Sequence, residues 1–285
     1  MAGLRRLRFP QAMSRWAVFL LLLALLLSAC AGTEPVAPSP APTTPASTLL
    51  NLGISDNAQA LAEPWGSAYQ AETDQAHVNF VGGNNSTLFS DLEEGQLEAV
   101  LVHHIPEGVQ DDVWFNPVAL DGLVIVVHAD NPVTSLAQAE IQRLFSGETD
   151  NWSAVGGEDL MVAPSGQERG DGARTVFTRR LMGARPVSIN TVIHSDGESL
   201  IEAVAAEPGA IGYTTMSGLA EGVQPVAVDG IAPTPENTAS QEYPLTVPLY
   251  FVSNGEPQGE LRAFLAWLQG AEGQSIVSEI VGSVR

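Results

Sequence analysis

A glycine-rich loop that carries polar and charged side chains is the part of the sequence with the clearest chemistry. Residues 167–174 read QERGDGAR and lie between an apolar segment and a helical pattern. A strand that leads through such a loop into a helix can hold an anion, because backbone N–H groups and the helix dipole converge at the helix start.

Asp171 gives this loop two alternative interpretations. A carboxylate about 4 Å from an anion repels it by about 4 kcal/mol at an effective dielectric constant of about 20, so Asp171 opposes anion binding. Alternatively, Asp171 caps the helix itself, and its carboxylate takes the place of a bound anion.

Several arginines lie in this loop or directly after it, within the stretch 169–185. They are Arg169, Arg174, Arg179, Arg180 and Arg185. One interpretation is a solvated helix face in an acidic protein. The other is a local positive field that attracts an anion toward the helix start.

The overall charge of the chain excludes one class of function. Lys and Arg number 12 against 33 Asp and Glu, which gives a formal net charge of −21, and the sequence contains no lysine. Nucleic-acid binding is therefore excluded, because it requires a basic surface. Attraction to an anionic membrane surface is disfavoured for the same reason, so membrane attachment has to come from a lipid.

The first residues are typical of a targeting segment. Four arginines precede an apolar run, 16–27, that is short for a transmembrane helix. The run ends in Leu27-Ser28-Ala29-Cys30, which resembles the lipobox of bacterial lipoproteins. The sequence predicts a lipoprotein signal peptide over 1–29 and lipidation of Cys30, with an uncleaved signal anchor as the alternative. Cys30 is the only cysteine, so no intrachain disulfide is expected.

Residues 30–48 predict a tether between this anchor and a folded domain. They are rich in proline among Ala, Ser and Thr, and such a segment is extended and buries no core. The predicted location is the bacterial cell envelope, outside the cytoplasm and attached to a membrane through the lipid on Cys30.

Strands and helices alternate along the remaining chain. Apolar runs predict strands over 49–54, 77–81, 97–102, 118–128, 160–163, 210–213, 226–228 and 249–253. Helical patterns predict helices over 58–70, 88–94, 135–145, 173–181, 199–206, 259–269 and 273–280. Ser55 or Asp56 is expected to cap the first helix and Ser135 the third. The alternation predicts an α/β fold with mostly parallel sheets flanked by helices.

An ordered set of motifs over most of the folded chain resembles the phosphate-type substrate-binding proteins of ABC transporters. The set includes Asp121-Gly122 on the long apolar strand and, within 144–177, the order Phe-Ser-Gly, Asn-Trp, Gly-Gly, strand and loop. It continues with EPGAIGY at 207–213, DGIAP at 229–233, YPLTVPLY at 243–250, FLAW at 264–267 and EGQ at 272–274. Agreement of many weak motifs in one order is more specific than any of them alone.

The resemblance implies a two-lobed periplasmic-binding-protein fold of type II, with a ligand cleft between the lobes. Residues 49–128 plus 245–285 would form the first lobe, and 129–244 the second. Strands near 125–129 and 245–251 would form the hinge, and the lobes would close around the ligand.

The resemblance also implies four ligand-binding positions, of which the first three lie before residue 105. The residues at these three positions are Ser55, Asp56, Gly83, Asn84, Asn85, Ser86 and His103. His103 takes the place of a family Asp that accepts the proton of a protonated phosphate, and His104 is the alternative for it.

The fourth position is the glycine-rich loop, where the family has Arg, Ser and Thr. The candidate residues there are Gln167, Arg169, Gly170, Asp171, Gly172, Ala173 and Arg174. Replacement of a bidentate Arg by Gln167 removes a charge-assisted pair worth roughly 1.5–3 kcal/mol.

The expected function is that of an extracytoplasmic solute-binding lipoprotein of an ABC-type importer. It would bind phosphate or a related small oxyanion in the cleft and act with a permease and ATPase complex. The alternatives are the same fold with a polar or cationic ligand held by Asp56 and Asp171, or a surface lipoprotein outside transport with a degenerate cleft. No cofactor, metal or catalysis is expected, because His103 and His104 lack a third ligand at metal spacing and no G-x-S-x-G motif is present.

Overall fold

The computed structural model describes residues 47–284, which belong to one compact unit. The predicted signal peptide, Cys30 and the tether up to residue 46 lie outside the described residues. Thr48, the last residue of the predicted tether, is the first residue of β1. Within 47–284 there is no helix with both the length and the apolar character needed to span a bilayer.

Residues 47–284 contain ten strands. They are β1 (Thr48–Ser55), β2 (Ala76–Gly83), β3 (Ala99–Val102), β4 (Trp114–His128), β5 (Ser135–Leu136), β6 (Ala163–Gln167), β7 (Val192–His194), β8 (Ala210–Thr215), β9 (Val223–Val228) and β10 (Thr246–Ser253).

The same part of the chain contains eight α-helices. They are α1 (Ala62–Glu72), α2 (Asn85–Glu93), α3 (Gln138–Ser146), α4 (Gly172–Val176), α5 (Gly197–Ala206), α6 (Pro235–Ala239), α7 (Gly259–Leu268) and α8 (Ala271–Ile280). Three 3-10 helices span Asp56–Leu61, Trp152–Val155 and Met216–Gly218, and a π-helical segment, Phe177–Met182, continues α4.

The strands form two sheets that share one strand, and each sheet is the centre of one lobe. The first lobe has the strand order β2-β1-β3-β10-β4, and the second has β4-β8-β6-β7, with β9 on the other side of β4 and β5 beside β9. Within the described chain, five strand pairings are parallel and four are antiparallel. The antiparallel pairings all involve β4 or β10, the strands that connect the lobes.

The strand β4 changes partners near its middle. Residues 114–122 pair with β10, whereas residues 123–128 pair with β8 and β9. The lobe boundaries 128/129 and 244/245 remain a prediction. The pairing pattern favours a boundary inside β4, at 122/123, because the residues after it are part of the second sheet.

The apolar core consists of several clusters, and the one around α1 and α7 extends into the second lobe through Leu200 and Val204 of α5. Trp65 on α1 and Phe264 on α7 lie in the core beneath the first sheet, and Trp152 and Phe177 lie in that of the second. The Phe177 ring stacks on Tyr213 of β8 at 4.0 Å between centroids. Burial of a large side chain such as Phe177 stabilises the fold by about 1.5–3 kcal/mol, and here it fixes the segment after α4 against β8.

The structure corrects several predicted element boundaries. The helix predicted from Ser135 begins at Gln138, because Ser135 and Leu136 pair with β9 and Glu140 accepts a hydrogen bond from the N–H of Ala137 at 2.8 Å. The strand predicted at 160–163 lies at 163–167. Ser55 is the N-cap residue of the first 3-10 helix, as predicted, but its side chain makes no capping hydrogen bond.

Candidate functional site

Four helices begin where parallel strands end, at the edge of the sheets that faces the other lobe. The 3-10 helix Asp56–Leu61 follows β1 and α2 follows β2 in the first lobe, whereas α4 follows β6 and α5 follows β7 in the second. Ligand-binding loops of open α/β sheets lie at these carboxyl ends of the strands.

The four helix starts touch one another across the cleft. A Cβ on Gly172 would lie 2.9 Å from Oδ1 of Asn85, and a Cβ on Gly197 would lie 2.7 Å from Oδ1 of Asn57. Real Cβ atoms do not approach other atoms so closely, so a larger residue at either position would displace the side chain of Asn85 or Asn57. Because each helix start carries a partial positive charge, their meeting point favours a negative group.

The negative group at this point in the structure is the carboxylate of Asp171. Asp171 is 3% exposed and is the N-cap of α4, since its Oδ1 accepts a hydrogen bond from the N–H of Arg174 at 2.8 Å. Its Oδ2 accepts a second one from Nδ2 of Asn57, in the other lobe, at 2.9 Å. The carboxylate therefore bridges the cleft.

Burial raises the pKa of Asp171 to about 6. The N–H of Arg174 and the nearby His103 lower it, and the charge of Asp56 raises it further. Burial likewise raises the pKa of Asp56, with a second contribution from the charge of Asp196. Loss of water thus outweighs the helix N-terminus, and Asp171 can change protonation near neutral pH.

Asn57 connects more of the site than any residue predicted from the sequence. Its Oδ1 accepts hydrogen bonds from Nε2 of Gln167 at 2.9 Å and from Oγ1 of Thr214 at 3.3 Å. Its backbone carbonyl accepts from Thr215 at 2.5 Å and Ser217 at 2.9 Å. The sequence signal for Asn57 was weak, a third polar residue after Ser-Asp at the end of a strand.

Gln167 is fully buried, and Arg174 bonds to its backbone. The N–H of Gln167 donates to the hydroxyl of Tyr213 at 3.1 Å, and its carbonyl accepts from Nη1 of Arg174 at 2.6 Å. The Arg174 guanidinium thus supports the loop rather than reaching the Asp171 carboxylate. Arg169 is exposed to solvent. Neither of the two loop arginines contributes a charge at the buried centre of the site.

The Asn84–Ser86 segment contacts the glycine-rich loop directly. Asn84 is the N-cap of α2, since its Oδ1 accepts from the N–H of Ser86 at 2.9 Å. Its Nδ2 donates to Glu168 at 3.1 Å, and the N–H of Ser86 donates to the carbonyl of Gly170 at 3.3 Å. The two lobes are therefore in contact here.

His103 forms a buried pair with Asp121 on β4, with 2.9 Å between Nε2 and Oδ2. The Asp121 carboxylate also accepts from the N–H groups of Gly122 at 2.7 Å and Met216 at 2.9 Å, and from the Ser217 hydroxyl. These donors come from both lobes, and they hold Asp121 at the point where β4 changes sheets. Asp121 was part of the sequence motif, but its contact with His103 was not predicted.

Several buried polar atoms in the site have no hydrogen-bond partner within residues 47–284. They are Oγ of Ser55, Oδ1 of Asn85, Nδ1 of His103 and Oε1 of Gln167. Buried polar atoms are almost always hydrogen-bonded, so their concentration in one region indicates a place for a polar ligand.

The structure thus gathers most of the predicted site residues. Ser55, His103, Gln167 and Asp171 are buried, and Asp56 lines an adjacent cavity. The segment after β2 contributes Gly83, Asn84, Asn85 and Ser86, and the glycine-rich loop contributes Gly170, Gly172 and Ala173. Arg169 and Arg174 lie outside the buried centre. A metal site of three or more His, Cys, Asp or Glu side chains is not found within 47–284.

Two cavities between the lobes flank this buried network, and their linings differ in charge. The acidic cavity measures about 830 Å³, and its carboxylates are Asp56, Asp196, Glu198, Glu202 and Glu221. The basic cavity measures about 460 Å³, and its basic side chains are His103, His104, Arg179 and Arg180. Burial lowers the pKa of His104, and Arg179 lowers it further. Both volumes are within the range of roughly 300–1,000 Å³ that is common for small-ligand sites.

Comparison with known proteins identifies a family and a relative that cover most of the chain. The family described as the PBP superfamily domain matches residues 39–272. The phosphate-binding protein PstS of Bacillus subtilis (strain 168) is 27% identical over 242 residues, which cover 82% of this chain and 80% of that protein.

Two solved structures share the fold. One is a substrate-binding protein assigned to phosphate ABC transport, with bound phosphate, from Clostridium perfringens. It has a TM-score of 0.78 at 24% identity over 84% of this chain and all of that chain (100%). The other is an ABC-type phosphate transport receptor from Vibrio cholerae, with a TM-score of 0.66 at 22% identity over 81% of this chain and 98% of that chain.

Proposed function

Because this chain belongs to the PBP superfamily, we propose that it is the extracytoplasmic solute-binding protein of an ABC-type importer. It binds a small oxyanion, phosphate or a relative of it, between the lobes, and it acts by binding rather than by catalysis. The observation that carries this proposal is the meeting of four helix N-termini around buried polar atoms that have no partner in the described part of the chain. The relatives named for phosphate binding support the same class of ligand.

The Asp171 carboxylate selects for a ligand that carries a proton. The carboxylate already lies at the helix starts, so an oxyanion beside it meets repulsion unless it donates a hydrogen bond to Oδ1 or Oδ2. Hydrogen phosphate can donate such a bond, whereas sulfate at neutral pH cannot. The side chain of Asn57, released from Asp171, then donates to the ligand together with the N–H groups of the helix starts.

A thermal-shift panel on the whole protein in detergent tests this ligand. Phosphate at a hundredfold excess over its Kd should stabilise the fold by about 2.7 kcal/mol, because it binds only the folded state. Sulfate at the same ionic strength should give no shift. Absence of a shift with phosphate, arsenate and phosphite would contradict the oxyanion proposal.

Asp171→Asn separates the two properties of the site. Asparagine retains the N-cap and removes the charge, so this variant should accept sulfate as well as phosphate. Asp196 is the N-cap of α5. The variant Asp196→Asn is therefore the matched control, and it should keep the preference for phosphate. Equal discrimination in wild type and Asp171→Asn would show that Asp171 does not select the protonated ligand.

A second candidate is a polar or cationic solute. The carboxylates of the acidic cavity favour it, because they would attract a cation and repel an oxyanion. Spermidine and basic amino acids in the same panel should then shift the unfolding temperature, and Asp56→Asn should reduce that shift. A chain that responds to no solute would support the third alternative, a degenerate cleft outside transport.

The proposed location rests on Cys30 and on the relatives. We expect lipidation of Cys30 to anchor the chain to a membrane outside the cytoplasm, where a permease and ATPase complex accepts the solute. Growth with labelled palmitate should label the wild-type chain in a bacterial host and leave Cys30→Ser unlabelled. Equal labelling of both would contradict lipidation at Cys30.

A further inference from the structure

The basic cavity is unusual in a chain with a formal net charge of −21. Its lining includes His103 and His104 from the first lobe and Arg179 and Arg180 from the second, with no Asp or Glu among the described lining residues. Arg179 pairs with Glu107 and His103 with Asp121, whereas Arg180 has no carboxylate partner among the described residues. A guanidinium without a counter-charge in a concave region attracts anions.

We infer that the basic cavity is a second binding site, for a small organic anion with an anionic head and an apolar part. The head contacts Arg180 and His104, and the apolar part lies against Phe115 and Tyr250. This inference does not rest on the proposed function, because Arg180, Phe115 and Tyr250 carry it, and His103 is the one described lining residue that the oxyanion site also uses.

Arg180 is the residue most suited to hold the anionic head. Its Nη1 donates to the carbonyl of Thr246 at 2.7 Å, which fixes the guanidinium beside β10. A guanidinium has five N–H donors in a planar fork, and this carbonyl is the one partner that the described residues provide for it. The remaining donors are available for bidentate contact with a carboxylate or phosphate.

Arg179 connects the lobes. It forms an ion pair with Glu107, which follows β3 in the first lobe, and both side chains are exposed. The walls of the cavity come from both lobes and from β10. An anion bound there would contact both lobes at once, so its binding would favour the closed arrangement.

The opposite wall of the cavity is apolar and aromatic. Phe115 is 43% exposed and packs edge-on against Tyr250, with 5.7 Å between ring centroids. Val247 and Pro248 continue this wall along β10. An inorganic oxyanion would leave this surface in contact with water, whereas an apolar substituent would cover it. The lining therefore favours an organic anion over an inorganic one.

The inner part of the cavity includes the imidazole of His103. Its Nε2 is bonded to Asp121, and its Nδ1 is buried without a partner among the described residues. A polar group of the ligand that reaches this end would give Nδ1 a hydrogen-bond partner. The burial of an unpaired ring nitrogen is a second observation, independent of the arginines, that points to a ligand.

Calorimetry on the whole protein with phenyl phosphate tests the inference. Wild type should bind phenyl phosphate, and Arg180→Gln should weaken binding about tenfold or more, because a charge-assisted contact is lost. Phe115→Ala should also weaken it, and this exposed position gives a variant that folds even if Arg180→Gln does not. Arg185→Gln is the matched control, since Arg185 pairs with Glu148 outside the cavity, and it should bind as wild type does.

Three results would overturn the inference. They are no binding of phenyl phosphate by wild type, binding unchanged in both Arg180→Gln and Phe115→Ala, and binding of uncharged phenol as tight as that of phenyl phosphate. Inorganic phosphate in the same titrations separates this site from the proposed oxyanion site. A chain that binds phenyl phosphate through Arg180 but not inorganic phosphate contradicts only the proposed function, and the reverse result contradicts only this inference.

Discussion

The carboxylate of Asp171 lies buried between helix starts, and this fixes the sign of its effect on stability. Its pKa is about 6 in the folded protein, against an ordinary value of 3.8. Between these values the folded state binds a proton that the unfolded chain does not. The contribution of this group to the free energy of unfolding therefore rises as the pH falls from 7.5 to 4.5, by about 2 kcal/mol.

Urea unfolding of wild type and Asp171→Asn at several pH values measures this contribution. As the pH falls, the free energy of unfolding of wild type should increase relative to that of the variant. Asp196→Asn is the control, because the N–H of Ser199 and the hydroxyl groups of Ser195 and Ser199 lower the pKa of Asp196. Its contribution changes only below about pH 4. Parallel curves for wild type and Asp171→Asn would refute the buried, titrating carboxylate.

Loss of the buried Asn57 side chain should cost more stability than loss of an exposed asparagine side chain. Asn57→Ala leaves the side chains of Asp171, Gln167 and Thr214 with unpaired buried atoms. We expect destabilisation by about 3 kcal/mol, because each unpaired buried group costs about 1–3 kcal/mol. Asn79→Ala, which removes an exposed hydrogen bond to Asn51, should cost under about 1 kcal/mol in the same chemical denaturation experiment. Equal effects of the two variants would contradict the central position of Asn57.

The residues of the site differ in how far the sequence predicts them. An Asp before a helix start predicts an N-cap from local rules alone, and Asp171 has that geometry. Asn57 was missed because its importance depends on Asp171 and Gln167, which are more than 100 positions away in the chain. The direction of Arg174 was equally inaccessible, since a flexible side chain chooses among nearby acceptors only after the loop has folded.

At the scale of elements, the loop between β6 and α4 is shaped to contact the start of α2. Gly170 has φ +91°, and a Cβ there would lie 2.6 Å from Oγ of Ser86 in the other lobe. Gly156 has a similar φ of +86° but no atom within 4 Å of its Cβ position. Alanine at either position strains the backbone by about 1–2 kcal/mol, and only alanine at position 170 pushes the lobes apart.

Small-angle scattering and urea unfolding distinguish these two glycine variants. Gly170→Ala should lose more stability than Gly156→Ala and should increase the radius of gyration of the whole chain. Gly156→Ala should leave the radius unchanged. If Gly170→Ala scatters as wild type does, the contact between the loop and Ser86 does not hold the lobes together.

Local signals predicted the elements well where their ends carry caps, and less well where tertiary contacts decide. The alternating strands and helices follow the apolar runs, but α2 begins at Asn85 rather than at the predicted residue 88, because Asn84 caps it. The antiparallel pairings of β4 and β10 leave no periodic signal in an apolar strand. They come from the way in which the chain passes twice between the lobes.

At the scale of the whole molecule, the excess of carboxylates predicts a dependence on salt. The net charge of −21 produces repulsion that a short Debye length reduces. We expect the unfolding temperature to rise by a few degrees, on the order of 1 kcal/mol of stability, between 10 mM and 500 mM NaCl. Glu202→Gln, which removes one charge from the acidic cavity, should reduce the rise. A fall in unfolding temperature with salt would contradict net repulsion.

The shared strand β4 has a consequence for how the protein can come apart. Its first half pairs with β10 in one sheet and its second half pairs with β8 in the other. Unfolding of either lobe therefore breaks hydrogen bonds of a strand that is also part of the other lobe. We therefore expect the two lobes to unfold as a single cooperative unit, since one apolar cluster also extends through both. A protein reduced to one lobe would either lack β4 or expose the unpaired half of it, and an unpaired strand edge promotes aggregation. The lobes are therefore not independent folding domains, and a truncation between them should abolish folding of both.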